Sequence, residues 1–155
     1  MPHVPRARIG ALCLLTVLSL GACGAVETGP PAPTPTDFGG IVSALSKEKV
    51  TVNGAVSGDA GCTDPALIPT AISVTAGGLD QAKPVRIYLY IFRDDASFQK
   101  LRANIDACAR SYVTDAATYE SVDQSPFVLA GQGPWAPGFK AAIRAALLGA
   151  AGTGD

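Results

Sequence analysis

Residues 85–93, VRIYLYIFR, have the strongest strand pattern in this chain, and the rest of the fold is predicted around them. It follows Pro84, it is rich in β-branched and aromatic residues, and it is apolar on both faces for much of its length. Because successive side chains of a strand point to opposite faces, such a run is typical of a strand that is covered on both sides. We therefore expect this strand to lie at the centre of a sheet.

Two further strands are predicted before it, at residues 49–56 and 71–76. In the first, Val50 and Val52 alternate with polar residues, which indicates a half-buried strand. The second is an apolar run that ends at a pair of glycines. The turn-rich residues 57–69 connect the two strands.

Three helices are predicted from apolar residues spaced three and four positions apart. The first begins near residue 37, the second spans residues 96–111, and the third begins at Pro137 with Gly149 as its stop. The second helix places its apolar residues on one face, namely Phe98, Leu101, Ile105, Cys108 and Tyr112. Asp94 and Asp95 precede it and are interpreted as caps. The alternative is a carboxylate pair that binds a metal or transfers protons.

The order of elements is α-β-β-β-α-β-α, with the last strand at residues 127–130. Runs of adjacent strands favour an antiparallel meander. We therefore expect an α+β fold with a single, mainly antiparallel four-stranded sheet and with helices packed mainly on one face. The polar residues 113–125 are assigned no element.

The N-terminal segment has the pattern of an export signal. Arg6 and Arg8 precede the apolar residues 9–20, and the run closes on Leu20-Gly21-Ala22-Cys23. This combination resembles the signal of bacterial lipoproteins, in which the four closing residues form a lipobox. The resemblance implies cleavage before Cys23, lipidation of its thiol, and anchoring at the extracytoplasmic side of the cell membrane.

A transmembrane anchor and an ordinary secretory signal are the alternatives. Residues 9–22 are shorter than the roughly 20 residues that a membrane-spanning helix needs. A secretory signal would not require a cysteine at the cleavage site. The predicted organisation is a signal peptide at residues 1–22, the lipidated cysteine and a proline-rich tether at 23–36, a single globular domain at 37–149, and a flexible tail at 150–155.

Charge and composition exclude several classes of function for the mature chain. Removal of residues 1–22 takes away two of the 12 basic residues and none of the 13 acidic ones, so the mature chain has a net charge near −3. A weakly acidic domain lacks the basic surface that nucleic acid requires. The one histidine, His3, leaves with the signal, which excludes a Ser-His-Asp site and a His-ligated metal from the mature chain.

The remaining cysteines indicate a disulfide. Export places Cys62 and Cys108 in a compartment where thiols tend to oxidise. We therefore predict a bond that joins the second helix to the loop before the second strand. The alternative, a reactive thiol, would need a cationic neighbour to stabilise the thiolate.

Acidic residues provide two weaker candidates for chemistry. Glu120 and Asp123 could flank a glycosidic bond as the two carboxylates of a glycosidase. Asp59 and Asp64 lie in a glycine-rich segment that is faintly similar to a calcium loop but lacks its full ligand series. We interpret that segment as a turn, and we predict neither a metal site nor a cofactor.

The loop before the third helix is the candidate binding element. It contains Gly131, Gln132, Gly133 and Trp135, and Trp135 is the only tryptophan in the chain. An aromatic ring exposed in a loop is typical of contact sites. The alternative is that Trp135 folds back on Phe139 and holds the last helix in place.

The signal and the order of elements together resemble small lipoproteins of unknown function from actinobacteria. That resemblance carries no catalytic residue to this chain. We expect a non-catalytic binding or modulating module of the cell envelope, with an envelope protein, a glycan or a small ligand as its partner. The alternative is a small carboxylate-dependent hydrolase that acts on cell-wall material.

Overall fold

A computed structural model describes residues 35–152 of the chain, with side chains from residue 38 onward. The predicted signal peptide, Cys23 and nearly all of the predicted tether lie outside the described residues, as do residues 153–155. The described part of the chain has an α+β fold in which an antiparallel sheet lies between helices. None of its helices is long and apolar enough to span a membrane.

The elements follow the order α-β-β-β-α-β-β-α. The helices are α1 (Pro35–Lys47), α2 (Asp95–Ala109) and α3 (Pro137–Ala151), and the strands are β1 (Thr51–Ser57), β2 (Ala71–Gly78), β3 (Gln81–Ile91), β4 (Tyr119–Gln124) and β5 (Phe127–Gln132). The predicted α+β class and the predicted helices are confirmed. The prediction of four strands is wrong, because the polar segment that was assigned no element contains β4.

The strand order in the sheet is β1-β2-β3-β5-β4, and all neighbouring strands are antiparallel. β3 pairs with β2 on one side and with β5 on the other, so its predicted central position is confirmed. Its side chains alternate between the two faces, and from Ile87 to Ile91 both sets are buried. Ile87 and Leu89 point to one face, whereas Tyr88 and Tyr90 point to the other.

Two hydrophobic cores follow from this alternation, one on each face of the sheet. α1 and α3 cover the face that carries Ile87 and Leu89, and α3 contributes the fully buried Phe139 and Ile143. α2 covers the opposite face with Phe98, Leu101, Ile105 and Cys108, as the helical spacing predicted. The expectation that helices lie mainly on one face therefore describes α1 and α3 but not α2.

Besides its antiparallel pairing with β5, the polar strand β4 is joined by ion pairs to a helix on each face of the sheet. Asp123 of β4 accepts a hydrogen bond from Arg102 of α2 at 2.5 Å. On the other face, Glu120 pairs with Lys140 of α3. Val122 is the buried apolar residue of the strand. β4 is thus stabilised by partners that are distant in sequence, which explains why its own composition does not indicate a strand.

The helix ends agree only in part with the prediction. The side chain of Asp94 accepts a hydrogen bond from the Ser97 amide at 2.7 Å, so its predicted role as the N-cap of α2 is confirmed. Asp95 instead accepts a hydrogen bond from the Ser125 hydroxyl. α3 continues through Gly149 and ends at Ala151, so Gly149 is not its stop.

Candidate functional site

A cleft of about 300 Å³ opens on the face of the sheet that α2 covers, close to the point where α2 ends. Arg86 and Tyr88 of β3 form one side of it, and Tyr112, in the turn after α2, forms another. The remaining wall comes from the end of β5 and the following loop, through Gln132, Gly133 and Pro134. We call this site the Arg86 cleft.

Strand register brings the first part of the cleft together. Arg86 and Tyr88 are two positions apart on β3 and therefore share a face. Ser73 of β2 is opposite Tyr88 in the antiparallel ladder, and it is fully buried. Ala130 of β5 is the partner of Tyr88 on the other side, so Gln132 reaches the same face two residues later.

Arg86 is held by two oxygen atoms that lie behind the cleft. Its Nη2 donates to Oδ2 of Asp59 at 2.6 Å and to Oγ of Ser73 at 2.7 Å. The Ser73 hydroxyl itself donates to Asp59 at 2.7 Å. The Arg86 side chain also interacts with the Tyr88 side chain, and it is still 51% exposed. The guanidinium is thus fixed in position while part of the side chain remains exposed at the cleft.

The charges of this pair are stable at physiological pH. Burial acts to raise the pKa of Asp59, but hydrogen bonds from Ser73, the Gly61 amide and Arg86 outweigh it and hold the pKa below its ordinary value. The hydrogen bond to Asp59 in turn raises the pKa of Arg86. The two side chains therefore remain a carboxylate and a guanidinium.

Two tyrosine rings form the aromatic wall. The ring centroids of Tyr88 and Tyr112 are 4.2 Å apart with an interplanar angle of 33°, and the Arg86 guanidinium lies 6.0 Å from the Tyr88 centroid. Burial raises the pKa of Tyr88, and it raises that of Tyr112 to about 12, so both hydroxyls are neutral at physiological pH.

Gly61 allows the chain to approach both rings. A Cβ at this position would lie 2.5 Å from the Tyr112 ring and 2.8 Å from the Tyr88 ring, and the φ of Gly61 is +73°. Any larger residue would therefore displace the aromatic wall and strain the backbone.

Hydrogen bonds fix the opposite wall. Oε1 of Gln132 accepts from the Thr114 amide at 2.8 Å, and the Gln132 amide group donates to the carbonyl of Gly133 at 3.2 Å. The Gly133 amide donates to the Thr118 carbonyl at 2.7 Å. A Cβ on Gly133 would lie 2.5 Å from Cγ of Glu120, which accounts for a glycine at this close approach.

Only part of the predicted binding loop lines the cleft. Gln132 and Gly133 do so, whereas Gly131 is a buried residue of β5 that lies next to Trp135 on the other face. Trp135 is 4% exposed and packs edge-to-face on Phe139, with centroids 6.0 Å apart. Its Nε1 donates to the carbonyl of Gln132 at 3.2 Å. Trp135 is therefore not an exposed contact residue, and the structure agrees with the alternative in which it folds back on Phe139.

The disulfide connects the cleft to the core. Cys62 and Cys108 are bonded with their Cα atoms 5.5 Å apart, as predicted. The bond ties the loop that carries Asp59 and Gly61 to the last turn of α2. The hydroxyl of Tyr90 donates to the carbonyl of Ala60 at 2.8 Å and attaches the same loop to β3.

The acidic candidates do not form a shared site. Glu120 and Asp123 pair with helices on opposite faces of β4, so the two carboxylates do not flank one bond. Asp59 and Asp64 each accept a hydrogen bond from the amide two residues later, which is a turn interaction. Within residues 35–152, no cluster of three or more His, Cys, Asp or Glu side chains is arranged to hold a metal ion.

Arg86, Tyr88, Tyr112 and Asp59 are site residues that the sequence analysis missed. One signal was present, because Arg86 is a charged residue near the start of the most apolar strand and shares its face with Tyr88. The approach of Asp59 and Tyr112 had no such signal. It depends on the path of the loop after β1 and on the end of α2.

Two larger grooves border α1. One, of about 550 Å³, lies between α1 and β1, and the other, of about 420 Å³, lies between the end of α1, Leu79 and α3. Neither groove is lined by an aromatic side chain. The Arg86 cleft is therefore the better candidate, because it combines aromatic rings with oriented polar groups.

Comparisons with known proteins add no relationship to this geometry: no protein-family model matches the chain, and no significant match was found among the curated proteins or the solved structures.

Proposed function

We propose that this protein is a lipid-anchored, non-catalytic module of the cell envelope that binds a ligand in the Arg86 cleft. The observation that carries the proposal is the guanidinium of Arg86, which is held by Asp59 and Ser73 while its exposed side chain lines a cleft with an aromatic wall. An arginine that is fixed in advance loses little conformational freedom when it contacts a ligand.

The protonation states of the cleft support binding rather than proton transfer. The pKa of Asp59 is lowered, and those of Tyr88 and Tyr112 are raised, so none of these groups changes charge near neutral pH. A general acid or base works best with a pKa near the working pH. The groups of the cleft therefore suit hydrogen bonding and packing.

The envelope location is supported by the N-terminal pattern and by the disulfide. The sequence Leu20-Gly21-Ala22-Cys23 follows a short apolar run with two arginines before it. A bond between Cys62 and Cys108 fits an oxidising compartment outside the cytoplasm. Both observations are consistent with export followed by lipidation of Cys23.

Cell fractionation tests the anchor. The wild-type protein and the Cys23→Ala variant are expressed in a bacterial host, and membrane and soluble fractions are compared. We expect wild type in the membrane fraction and a large loss of Cys23→Ala from it, because lipid chains provide the anchor. Equal retention of the two proteins would contradict lipid anchoring at Cys23.

A fragment screen tests the cleft. Full-length protein purified in detergent is examined by NMR with a library of small polar and aromatic compounds, and the amides of Arg86 and Gln132 are monitored. We expect a subset of fragments to shift both amides in a saturable way, with Arg86→Lys weakening these shifts and Arg93→Lys leaving them unchanged. Arg93 is a suitable control because it is an exposed arginine just after the same strand and outside the cleft.

Two results would contradict the proposal. The first is that no fragment shifts the amides of the cleft. The second is hydrolysis of a cell-wall substrate by the purified protein, which would favour the alternative of a small hydrolase. A panel of cell-wall substrates assayed with wild-type protein measures this activity directly.

A further inference from the structure

The ligand class of the Arg86 cleft follows from its charges, its hydrogen-bond donors and its size. We propose that the cleft binds an uncharged carbohydrate, with one pyranose ring seated between Tyr112 and Arg86. This inference rests on the proposed binding function of the same cleft. It adds the chemistry of the ligand, which the proposed function leaves open.

Every charge that borders the cleft is already neutralised within the protein. Arg86 pairs with Asp59 at 2.6 Å. Glu120, which lies directly below Gly133, pairs with Lys140. Tyr88 and Tyr112 are uncharged at physiological pH. The residues that line the cleft therefore carry no unpaired positive charge that would attract an anion.

The polar groups instead fit a ligand with several hydroxyl groups. Asp59 and Ser73 accept only from Nη2 of Arg86, and the exposed side chain can donate its other N–H groups to the hydroxyl oxygens of a ligand. Carbonyl oxygens have two lone pairs, so the Gly133 carbonyl can accept from a sugar hydroxyl in addition to its bond from Gln132. Donors and acceptors on opposite walls match the mixed donor and acceptor character of sugar hydroxyls.

The apolar part of the wall fits the C–H face of a pyranose ring. Tyr112 is partly exposed, and Val85 and Pro134 also line the cleft. A sugar ring has polar edges and a less polar face, so it can pack on an aromatic or prolyl surface while its hydroxyls reach the polar walls. The volume of about 300 Å³ is at the lower end of the range for ligand sites, which favours a ligand of about one ring.

Isothermal titration calorimetry with the full-length protein tests the ligand class. The detergent must have no sugar headgroup. The probes are tri-N-acetylglucosamine and maltotriose as neutral glycans, N-acetylglucosamine as a single ring, and sodium benzoate as an anionic ring. We expect at least one neutral sugar to bind saturably and benzoate not to bind. Tighter binding of a trisaccharide than of N-acetylglucosamine would identify a polymer segment as the ligand, whereas equal affinities would identify a single sugar unit.

Substitutions test whether the sugar binds in the Arg86 cleft. Arg86→Lys keeps the charge next to Asp59 but removes the guanidinium and its N–H donors, and we expect it to weaken sugar binding at least tenfold. Arg93→Lys makes the same substitution at an exposed arginine outside the cleft, and we expect it to change the affinity less than twofold. Circular dichroism melting curves of both variants verify that they fold. Sugar binding that is equally strong in Arg86→Lys would overturn the assignment to this cleft.

The outcomes separate this inference from the proposed function. If benzoate binds in an Arg86-dependent manner and no neutral sugar does, the cleft is a ligand site but the carbohydrate inference is wrong. If neither the sugars nor any fragment of the NMR library perturbs the cleft, the proposed binding function is wrong as well.

Discussion

Asp80, in the turn between β2 and β3, caps α3 at Phe139 although the two residues are 59 positions apart in the sequence. Its Oδ1 accepts a hydrogen bond from the Phe139 amide at 2.8 Å, and its Oδ2 accepts from the Gly138 amide at the same distance. α3 has no side-chain cap from its own N-cap residue, Ala136. A hairpin of the sheet therefore supplies the acceptors that the first turn of α3 lacks.

We expect Asp80→Ala to lower the melting temperature, because two amides at the start of α3 lose their acceptor. Differential scanning calorimetry at neutral pH measures the effect. Glu48→Ala is the matched control, since Glu48 is an exposed acidic residue in the turn after α1, and it should melt like wild type. An Asp80→Ala melting curve equal to that of wild type would show that the cap contributes nothing to stability.

The contribution of Asp80 should also depend on pH. The hydrogen bond from the Gly138 amide lowers the pKa of Asp80 below its model-compound value of 3.8, and burial opposes this effect only in part. A carboxyl group with a lowered pKa stabilises the fold above its unfolded pKa, and this stability is lost as the pH falls through the folded pKa. The difference in melting temperature between wild type and Asp80→Ala should therefore be constant above about pH 5 and shrink below about pH 4. A difference that grows with acidity would contradict the assignment.

Removal of the buried hydroxyls of Tyr90 and Tyr112 should change the free energy of unfolding by different amounts. Tyr90 donates to the Ala60 carbonyl at 2.8 Å, so Tyr90→Phe leaves a buried acceptor unsatisfied and should destabilise the fold by about 1 to 3 kcal/mol. The hydroxyl of Tyr112 is buried near that of Tyr90 without a well-oriented hydrogen bond, so Tyr112→Phe should destabilise the fold by less than about 1 kcal/mol. Urea unfolding of the two variants provides the comparison. Destabilisation of both by the same amount would indicate that Tyr112 also has a partner.

Reduction of the Cys62–Cys108 bond should lower the free energy of unfolding. The bond closes a loop with a sequence separation of 46 residues, and the chain-entropy model gives about 4 kcal/mol for a loop of that length. We expect the exported protein to unfold at a clearly lower urea concentration in the presence of reductant. Mass spectrometry of non-reduced peptides verifies the pairing. Two thiols that alkylate readily in the native exported protein would refute it.

Trp135→Ala should destabilise the fold by about 3 to 5 kcal/mol, because it removes a large side chain from the core beside Phe139. Leu148→Ala is the control, since Leu148 of α3 is 52% exposed and its removal should change stability by no more than about 0.5 kcal/mol. As the only tryptophan, Trp135 also reports its own surroundings, and the native emission should be that of a buried indole. A solvent-like emission spectrum would contradict its burial.

The accuracy of the sequence-based prediction depended on whether the relevant signal was local. β3 and α2 were predicted because residues 85–93 and the apolar spacing from Phe98 to Cys108 contain the pattern within one segment. β4 was missed because its polar residues are held by Arg102 and Lys140, which lie on other elements. Pairing information of this kind is not present in the strand itself.

The residues of the candidate site also differ in whether a local sequence pattern could indicate them. Gln132 and Gly133 were predicted from an unusual local sequence next to the only tryptophan. The contact between Arg86 and Asp59, which are 27 positions apart, exists only because β2 pairs with β3 and the loop after β1 crosses that face. For Trp135 the sequence left two environments open, an exposed contact residue and a residue folded back on Phe139, and the structure has the second.

The apolar segment that lets β3 be buried on both faces also makes the unfolded chain prone to aggregation. Residues 87–92, IYLYIF, contain no charge, proline or glycine, and a segment of this composition readily pairs with copies of itself to form aggregates. In the folded protein β2 and β5 occupy both of its edges. Before folding, the charged neighbours Arg86 and Arg93 bracket the segment and act as gatekeepers against self-association. We therefore expect Arg86 to reduce aggregation of the unfolded chain, whether or not the cleft binds a ligand.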